Sequence, residues 1–140
     1  MDGCIFCRII VGEEPGSFVL DEPAVVAFLD INQFAPGHVL IVPRTHRADV
    51  REFEPELSAA VLDAVARVAR AVTAVFRPDG LSVMHNIGEA GGQDVFHAHF
   101  HVYPRYHGDG MLRLYPSAPG QPSRAALDEV AARLRGAVEG

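Results

Sequence analysis

Val95-Phe96-His97-Ala98-His99-Phe100-His101-Val102-Tyr103 places three histidines at every second position among apolar and aromatic residues. Alternation of this kind, rich in Val, Phe and Tyr, predicts a β-strand. Side chains on a strand alternate between faces, so the three imidazoles are expected on one side and Phe96, Ala98, Phe100 and Val102 on the other. One face then packs a core while the other presents three rings. A single histidine on a strand is most often a satisfied polar residue, but three in register, in a chain with only 7, require a chemical reason. Neighbouring rings could share a metal. Alternate strand positions lie ~6.6 Å apart, however, so the outer two are ~13 Å apart and all three reach one ion only under strain. Acid–base or nucleophilic work on an extended anionic substrate suits imidazole better, because near neutral pH it serves as nucleophile, proton donor or anion contact.

The loop before the run, Gly88-Glu89-Ala90-Gly91-Gly92, lets backbone amides come close to a ligand, and Gln93 adds a neutral donor. Alone it is a turn; beside three imidazoles it reads as a phosphate cradle. Further out, Ile5 to Val11 is expected as a short helix or turn, and Phe18 to Leu20 and Ala24 to Asp30 as strands. His38 to Pro43 is a near-continuous apolar strand that must be buried on both sides. From Pro55 to Phe76, Leu57, Val61, Ala64, Val65, Val68, Val72 and Val75 recur at helical spacing, with Pro55 suited to the first turn and Pro78-Asp79-Gly80 as the stop. Leu81 to Asn86 is another strand. A last amphipathic helix, capped by Ser123, carries Leu127, Val130 and Leu134. Strands joined by loops with one long helix between them predict an α+β layering, an antiparallel sheet covered by helices.

At 140 residues the chain is expected to be a single domain, with a core over about 4–110 and a helical extension over about 123–138. A formal charge of −6 argues against a nucleic-acid partner but leaves a small anionic ligand open. No charged segment followed by an apolar stretch opens the chain, and no apolar run approaches the ~18 residues of a membrane span. A cytoplasmic protein without a membrane partner is therefore expected. There Cys4 and Cys7 are poor candidates for a structural disulfide; they read as half of a zinc site or as two small residues of a first helical turn.

Gly92-Gln93-Asp94-Val95-Phe96-His97-Ala98-His99-Phe100-His101-Val102 resembles the signature of the histidine triad (HIT) family. Cys4-Ile5-Phe6-Cys7-Arg8-Ile9-Ile10, Ala27-Phe28-Leu29-Asp30-Ile31, Pro36-Gly37-His38-Val39-Leu40-Ile41-Val42-Pro43, Thr45-His46 and Pro104-Arg105-Tyr106 are similar to its other blocks, in the same order. The resemblance implies a HIT-like fold, with a five-stranded antiparallel sheet, one long helix and a C-terminal helix. It implies nucleotide binding and hydrolysis or transfer at an α-phosphate without a catalytic metal. His99 would be the nucleophile, forming a nucleotidyl-histidine that water resolves, and His101 and His38 would serve the phosphate and the leaving group. Gly92, Gln93 and Asn86 would lie on the phosphate side and Asp30 on the ribose. Ile5, Phe6, Ile9, Phe28 and Ile31 would form an apolar pocket for a purine base.

The same resemblance implies a structural zinc held by Cys4, Cys7, His46 and His97, and a homodimer. His85 and His107 receive no role and are expected to be solvent-exposed. Asp94 departs from the pattern, since many relatives carry Ser or Thr there; an ionised carboxylate repels phosphate unless turned away, paired or protonated. It could suit a leaving group bearing an amine, or orient a histidine. Three functions follow from the resemblance. One is a Hint-like purine nucleotide hydrolase cleaving phosphoramidates or acyl-nucleotides. The others are a Fhit-like dinucleoside polyphosphate hydrolase and a non-catalytic nucleotide-binding zinc protein.

Overall fold

Residues 3–33, 35–111 and 120–138 are described by a computed structural model of the chain. It forms two units, residues 1–109 and 110–140. In the first, α1 (Ile5–Ile10) starts at Cys4, whose sulfur accepts the Cys7 N–H at 3.4 Å and so caps the helix. Then follow β1 (Phe18–Asp21), β2 (Val25–Leu29), β3 (Val39–Pro43), the long α2 (Pro55–Phe76), β4 (Gly80–Met84) and β5 (Phe100–Arg105). The second unit carries α3 (Arg124–Ala137), whose first turn is capped by the Ser123 hydroxyl accepting from the Ala126 N–H. Its apolar residues Leu127, Val130 and Leu134 are exposed.

The strands form one sheet in the order β1-β2-β3-β5-β4, every pair antiparallel. Alternation along β2 and β3 explains why both are apolar at nearly every position. Val25, Ala27, Val39 and Ile41 face α2, meeting Val61, Ala64, Val65, Val68 and Val72. Val26, Phe28, Leu40 and Val42 face the other way, packing with Phe6 of α1. Each of the Val, Leu, Ile and Phe side chains contributes roughly 1.5–3 kcal/mol when fully buried. α2 begins with Pro55 at its first position and ends where Arg77 turns left-handed (φ +48°), one residue before Pro78.

The helix bounds over 55–76 agree with the periodicity, and the other strands shift by one or two residues. The histidine strand is the exception. The expected strand over 95–103 begins only at Phe100. β3 pairs with β5 at Val39↔Val102, Leu40↔His101 and Ile41↔Phe100. Continued, that register would set Pro43 opposite Ala98, and proline has no N–H for the ladder. The Ala98 N–H donates instead to the carbonyl of Arg47 at 2.7 Å. Residues 95–99 therefore leave the sheet, and Phe96, expected on the packed face, is 54% exposed. Within β5 the alternation holds, with Val102 facing α2 and His101 on the face of Leu40. No helix among the described residues is long and apolar enough to cross a membrane.

Candidate active site and metal centre

On the face of the sheet opposite α2, between α1, β2 and the segment after Gln93, lies a cavity of about 640 Å³. Its apolar wall includes Ile5, Phe6, Ile9, Phe28 and Ile31, and its polar side includes Asp30, Asp94, His99 and His101. Phe6 meets Phe28 edge-on at 5.4 Å and His99 at 5.0 Å between ring centres, tying α1 to both walls.

The protonation of the histidines follows from their carbonyl partners, because a carbonyl oxygen only accepts. Nδ1 of His99 lies 2.7 Å from the His97 carbonyl, so Nδ1 carries the hydrogen and Nε2 keeps its lone pair. His38 donates from Nδ1 to the Asn32 carbonyl at 3.2 Å, and its Nε2 accepts from Nδ1 of His101 at 2.9 Å. Nε2 of His101 is then the unprotonated nitrogen. Burial, with His99 and His38 adding to it, pulls His101 down to about 4. Burial likewise lowers His38, opposed by Asp30, whose carboxylate is 3.7 Å from its Nε2. The rings of His99 and His101 lie 4.9 Å apart. Asp94 approaches Nε2 of His99 at 3.6 Å while its side chain is 80% exposed.

The three histidines do not share one exposed face. His97 and His99 are fully buried, and His97 points away from the cavity to the cysteines. Its Nε2–H donates to the Pro43 carbonyl at 2.8 Å, which leaves Nδ1 as a free lone pair. That Nδ1 lies 3.4 Å from the Cys4 sulfur and 3.5 Å from the Cys7 sulfur, and Nδ1 of His46 is 3.4 Å from Cys7. Zinc bonds of ~2.3 Å to sulfur and ~2.0–2.1 Å to nitrogen at a tetrahedral angle place S and N ~3.5 Å apart, so Cys4, Cys7, His46 and His97 fit a closed zinc site. The His97–Pro43 bond is the kind of outer contact that would orient a ligating imidazole. Burial and the neighbouring Cys4 push the Cys7 thiol up to about 11, a proton that a metal would displace. Asp30, His38 and His101 also cluster. Their 2.9 Å N···N contact is that of a hydrogen bond, shorter than the ~3.3 Å between two nitrogens on a tetrahedral ion.

Several expected residues stand elsewhere. Gln93 is buried but spends both amide hydrogens on the Ala48 and Val95 carbonyls, while its oxygen accepts from Gly88. It staples the glycine loop and does not line the cavity. Asn86 reaches the Gly92 carbonyl at 3.3 Å, and neither residue is in the cavity wall. His85 corrects the expectation of an exposed residue. It is half-buried, stacks on Phe100 at 4.4 Å, accepts the Val50 N–H at Nε2 and donates from Nδ1 to the His99 carbonyl at 2.9 Å. His107 is exposed as expected. Leu40, Ser17 and Glu14 line the cavity without having been singled out. Alternation of β3 could have found Leu40; only the tertiary fold places the other two.

The HIT domain family model matches residues 11–108. Protein hit of Bacillus subtilis is 47% identical over 111 residues, covering 79% of this chain and 77% of that protein. A protein of Schizosaccharomyces pombe named adenosine 5′-monophosphoramidase hnt1 is 32% identical over 135 residues, covering 94% and 98%. A crystal structure of a HIT family protein from Bacillus subtilis superposes with a TM-score of 0.92 at 37% identity, covering 99% of both chains. A zinc-bound histidine triad protein from Mycobacterium smegmatis gives a TM-score of 0.73 at 33% identity, covering 98% and 99%. With the triad, the five-stranded antiparallel sheet and these similarities together, the chain belongs to the HIT domain family.

Proposed function

We propose that the chain hydrolyses purine nucleoside phosphoramidates or acyl-nucleotides at the α-phosphate through a covalent nucleotidyl-His99 intermediate. The observation that carries this reading is the bond from His99 Nδ1 to the His97 carbonyl, which leaves Nε2 unprotonated at the wall of a nucleoside-sized cavity. Ile5, Phe6, Ile9, Phe28 and Ile31 would sandwich the base, and Asp30 would accept from the ribose hydroxyls. The name of the Schizosaccharomyces pombe relative points the same way.

In the first step the Nε2–P bond forms and the P–N bond of a phosphoramidate breaks, its electron pair leaving with nitrogen. His101 is neutral in the free protein. The arriving phosphate favours its protonated form, so a proton enters with the substrate and passes to the leaving amine. In the second step water adds to phosphorus, the neutral His101 takes the water proton, and the Nε2–P pair returns to His99. The products are the amine and the nucleoside monophosphate. His38 holds His101 in place through the 2.9 Å bond. General acid–base help of this kind is worth ~10²–10⁴ in rate.

Cys4, Cys7, His46 and His97 would hold a structural zinc, which supplies a cross-link between α1, the loop after β3 and the segment before β5. A homodimer and a cytoplasmic setting complete the reading; exposed Leu62 and Val75 on α2 offer apolar surface for a partner copy. The test is a panel of adenosine phosphoramidate, an acyl-adenylate and a diadenosine polyphosphate, with denaturing quench and intact-mass analysis. Turnover of the first two with a nucleotidyl adduct that His99→Ala abolishes is expected. Turnover without an adduct, or undiminished in His99→Ala, overturns the mechanism.

A further inference from the structure

The cavity that would receive the nucleotide is lined by carboxylates. Glu14, Asp30 and Asp94 are in its wall, and among the described residues that line it none is Lys or Arg. The three acids differ in their partners. Glu14 pairs with Arg8 at 2.5 Å. Asp30 faces His38 and accepts the Asn32 N–H at 2.8 Å. Among the described residues, Asp94 accepts only the N–H of its neighbour Val95, at 2.9 Å, and otherwise points toward Nε2 of His99 at 3.6 Å. Because that nitrogen carries a lone pair, the two groups do not form an ion pair in the neutral enzyme.

We infer that Asp94 selects the leaving group by charge: the chain favours a nucleoside α-phosphoramidate whose amine leaving group carries a second positive charge, and disfavours leaving groups that carry additional negative charge beyond the departing atom, polyphosphates included. The inference rests on the proposed reaction at His99. Its geometry is bounded without a substrate. In-line attack places phosphorus ~3–3.5 Å from Nε2 and the departing atom ~5 Å away. That atom is therefore at most ~9 Å from the Asp94 carboxylate, inside the ~10 Å Debye length of 0.1 M salt. A single phosphate carries about one negative charge into this acidic cavity. A polyphosphate leaving group brings two or more past a carboxylate with no arginine or lysine among the described lining residues to offset them. A mobile ammonium on a short arm meets Asp94 at the exposed mouth instead. Exposed charge pairs change rates modestly, so the expected span between cationic and anionic leaving groups is about tenfold.

The experiment compares kcat/KM for three adenosine phosphoramidates of equal arm length, made from 1,3-diaminopropane, propylamine and β-alanine, together with diadenosine triphosphate. It uses the full chain and its Asp94→Asn and Asp94→Ser variants. In the unmodified chain the ammonium arm is expected to lead and the carboxylate arm to trail by about tenfold. In both variants the span is expected to fall to about twofold, whatever happens to the absolute rates, and 0.5 M salt (roughly a 4 Å Debye length) compresses the unmodified chain's span in the same direction. An equal span in chain and variants, or a span that ignores salt, overturns the assignment. The same three compounds are titrated by calorimetry onto His99→Ala, which binds without chemistry. Charge-ordered affinities with no turnover by the unmodified chain would sink the enzymatic reading and leave the charge selection standing; turnover with neither rates nor affinities ordered by charge would sink the selection alone.

Discussion

His97 and His99 are joined by a 2.7 Å hydrogen bond from the His99 ring to the His97 backbone carbonyl, while the His97 ring itself turns to Cys4 and Cys7. One residue thus belongs to the candidate metal cluster by its side chain and to the candidate nucleophile by its backbone. Nitrogen-detected NMR on labelled protein is expected to show His99 as the Nδ1–H tautomer at neutral pH. An Nε2–H tautomer would leave no lone pair facing the cavity and would refute the nucleophile assignment.

The cluster of Cys4, Cys7, His46 and His97 sets a second expectation. Protein purified without chelator should contain about one zinc per chain, and Cys4→Ser should lose it. Loss of a structural ion that joins three segments costs several kcal/mol, so a fall in Tm of roughly 10 °C is expected. Metal analysis and calorimetry check both parts; an unmodified chain free of zinc with the same Tm as Cys4→Ser would contradict them.

His101 makes stability depend on pH. Burial holds its folded value at about 4, below its ordinary 6.5, so the unfolded chain binds the proton more readily. The stabilisation is fully present above pH 6.5 and is lost as pH falls through about 4, amounting to no more than roughly 3 kcal/mol. His38 shifts in the same direction. Urea midpoints at pH 7.5, 6 and 5 should decline, and less steeply in His101→Asn.

His85 positions the peptide of His99. His85→Ala leaves the Val50 N–H and the His99 carbonyl without their partner, costing about 1–3 kcal/mol. Steady-state kinetics should show kcat falling more than KM rises, because the apolar wall of the cavity is untouched.

Gly37 precedes His38 with φ +101°, and a Cβ there would stand 2.6 Å from the Phe76 ring. Gly37→Ala is therefore expected to destabilise by more than about 1 kcal/mol through both backbone strain and the clash. Denaturant unfolding measures it; a neutral effect would mean that Phe76 yields freely.

Which residues form α2 and β3 could be read from the chain because their signals are local. Val61, Ala64, Val65, Val68 and Val72 repeat at helical spacing, and the run Val39–Pro43 is apolar throughout because both faces of the sheet are covered. The candidate site residues could be named because His97, His99 and His101 fall in one short motif with the cysteines far upstream. Alternation could not tell where the strand begins. Pro43, more than fifty residues away, ends the ladder, and that effect exists only once β3 lies beside β5. Spacing likewise left Gln93 as a ligand contact, whereas the folded loop spends its amide on Ala48 and Val95. His85 carries no local signal at all; its partners Val50 and His99 are 35 and 14 residues distant. The sequence by itself determined the elements, the covered sheet and the set of candidate site side chains, since periodicity and residue chemistry are properties of neighbours. Only the tertiary structure decided which histidine faces the cysteines and which faces the cavity, because each ring's proton and direction are set by a carbonyl or sulfur brought there by the fold.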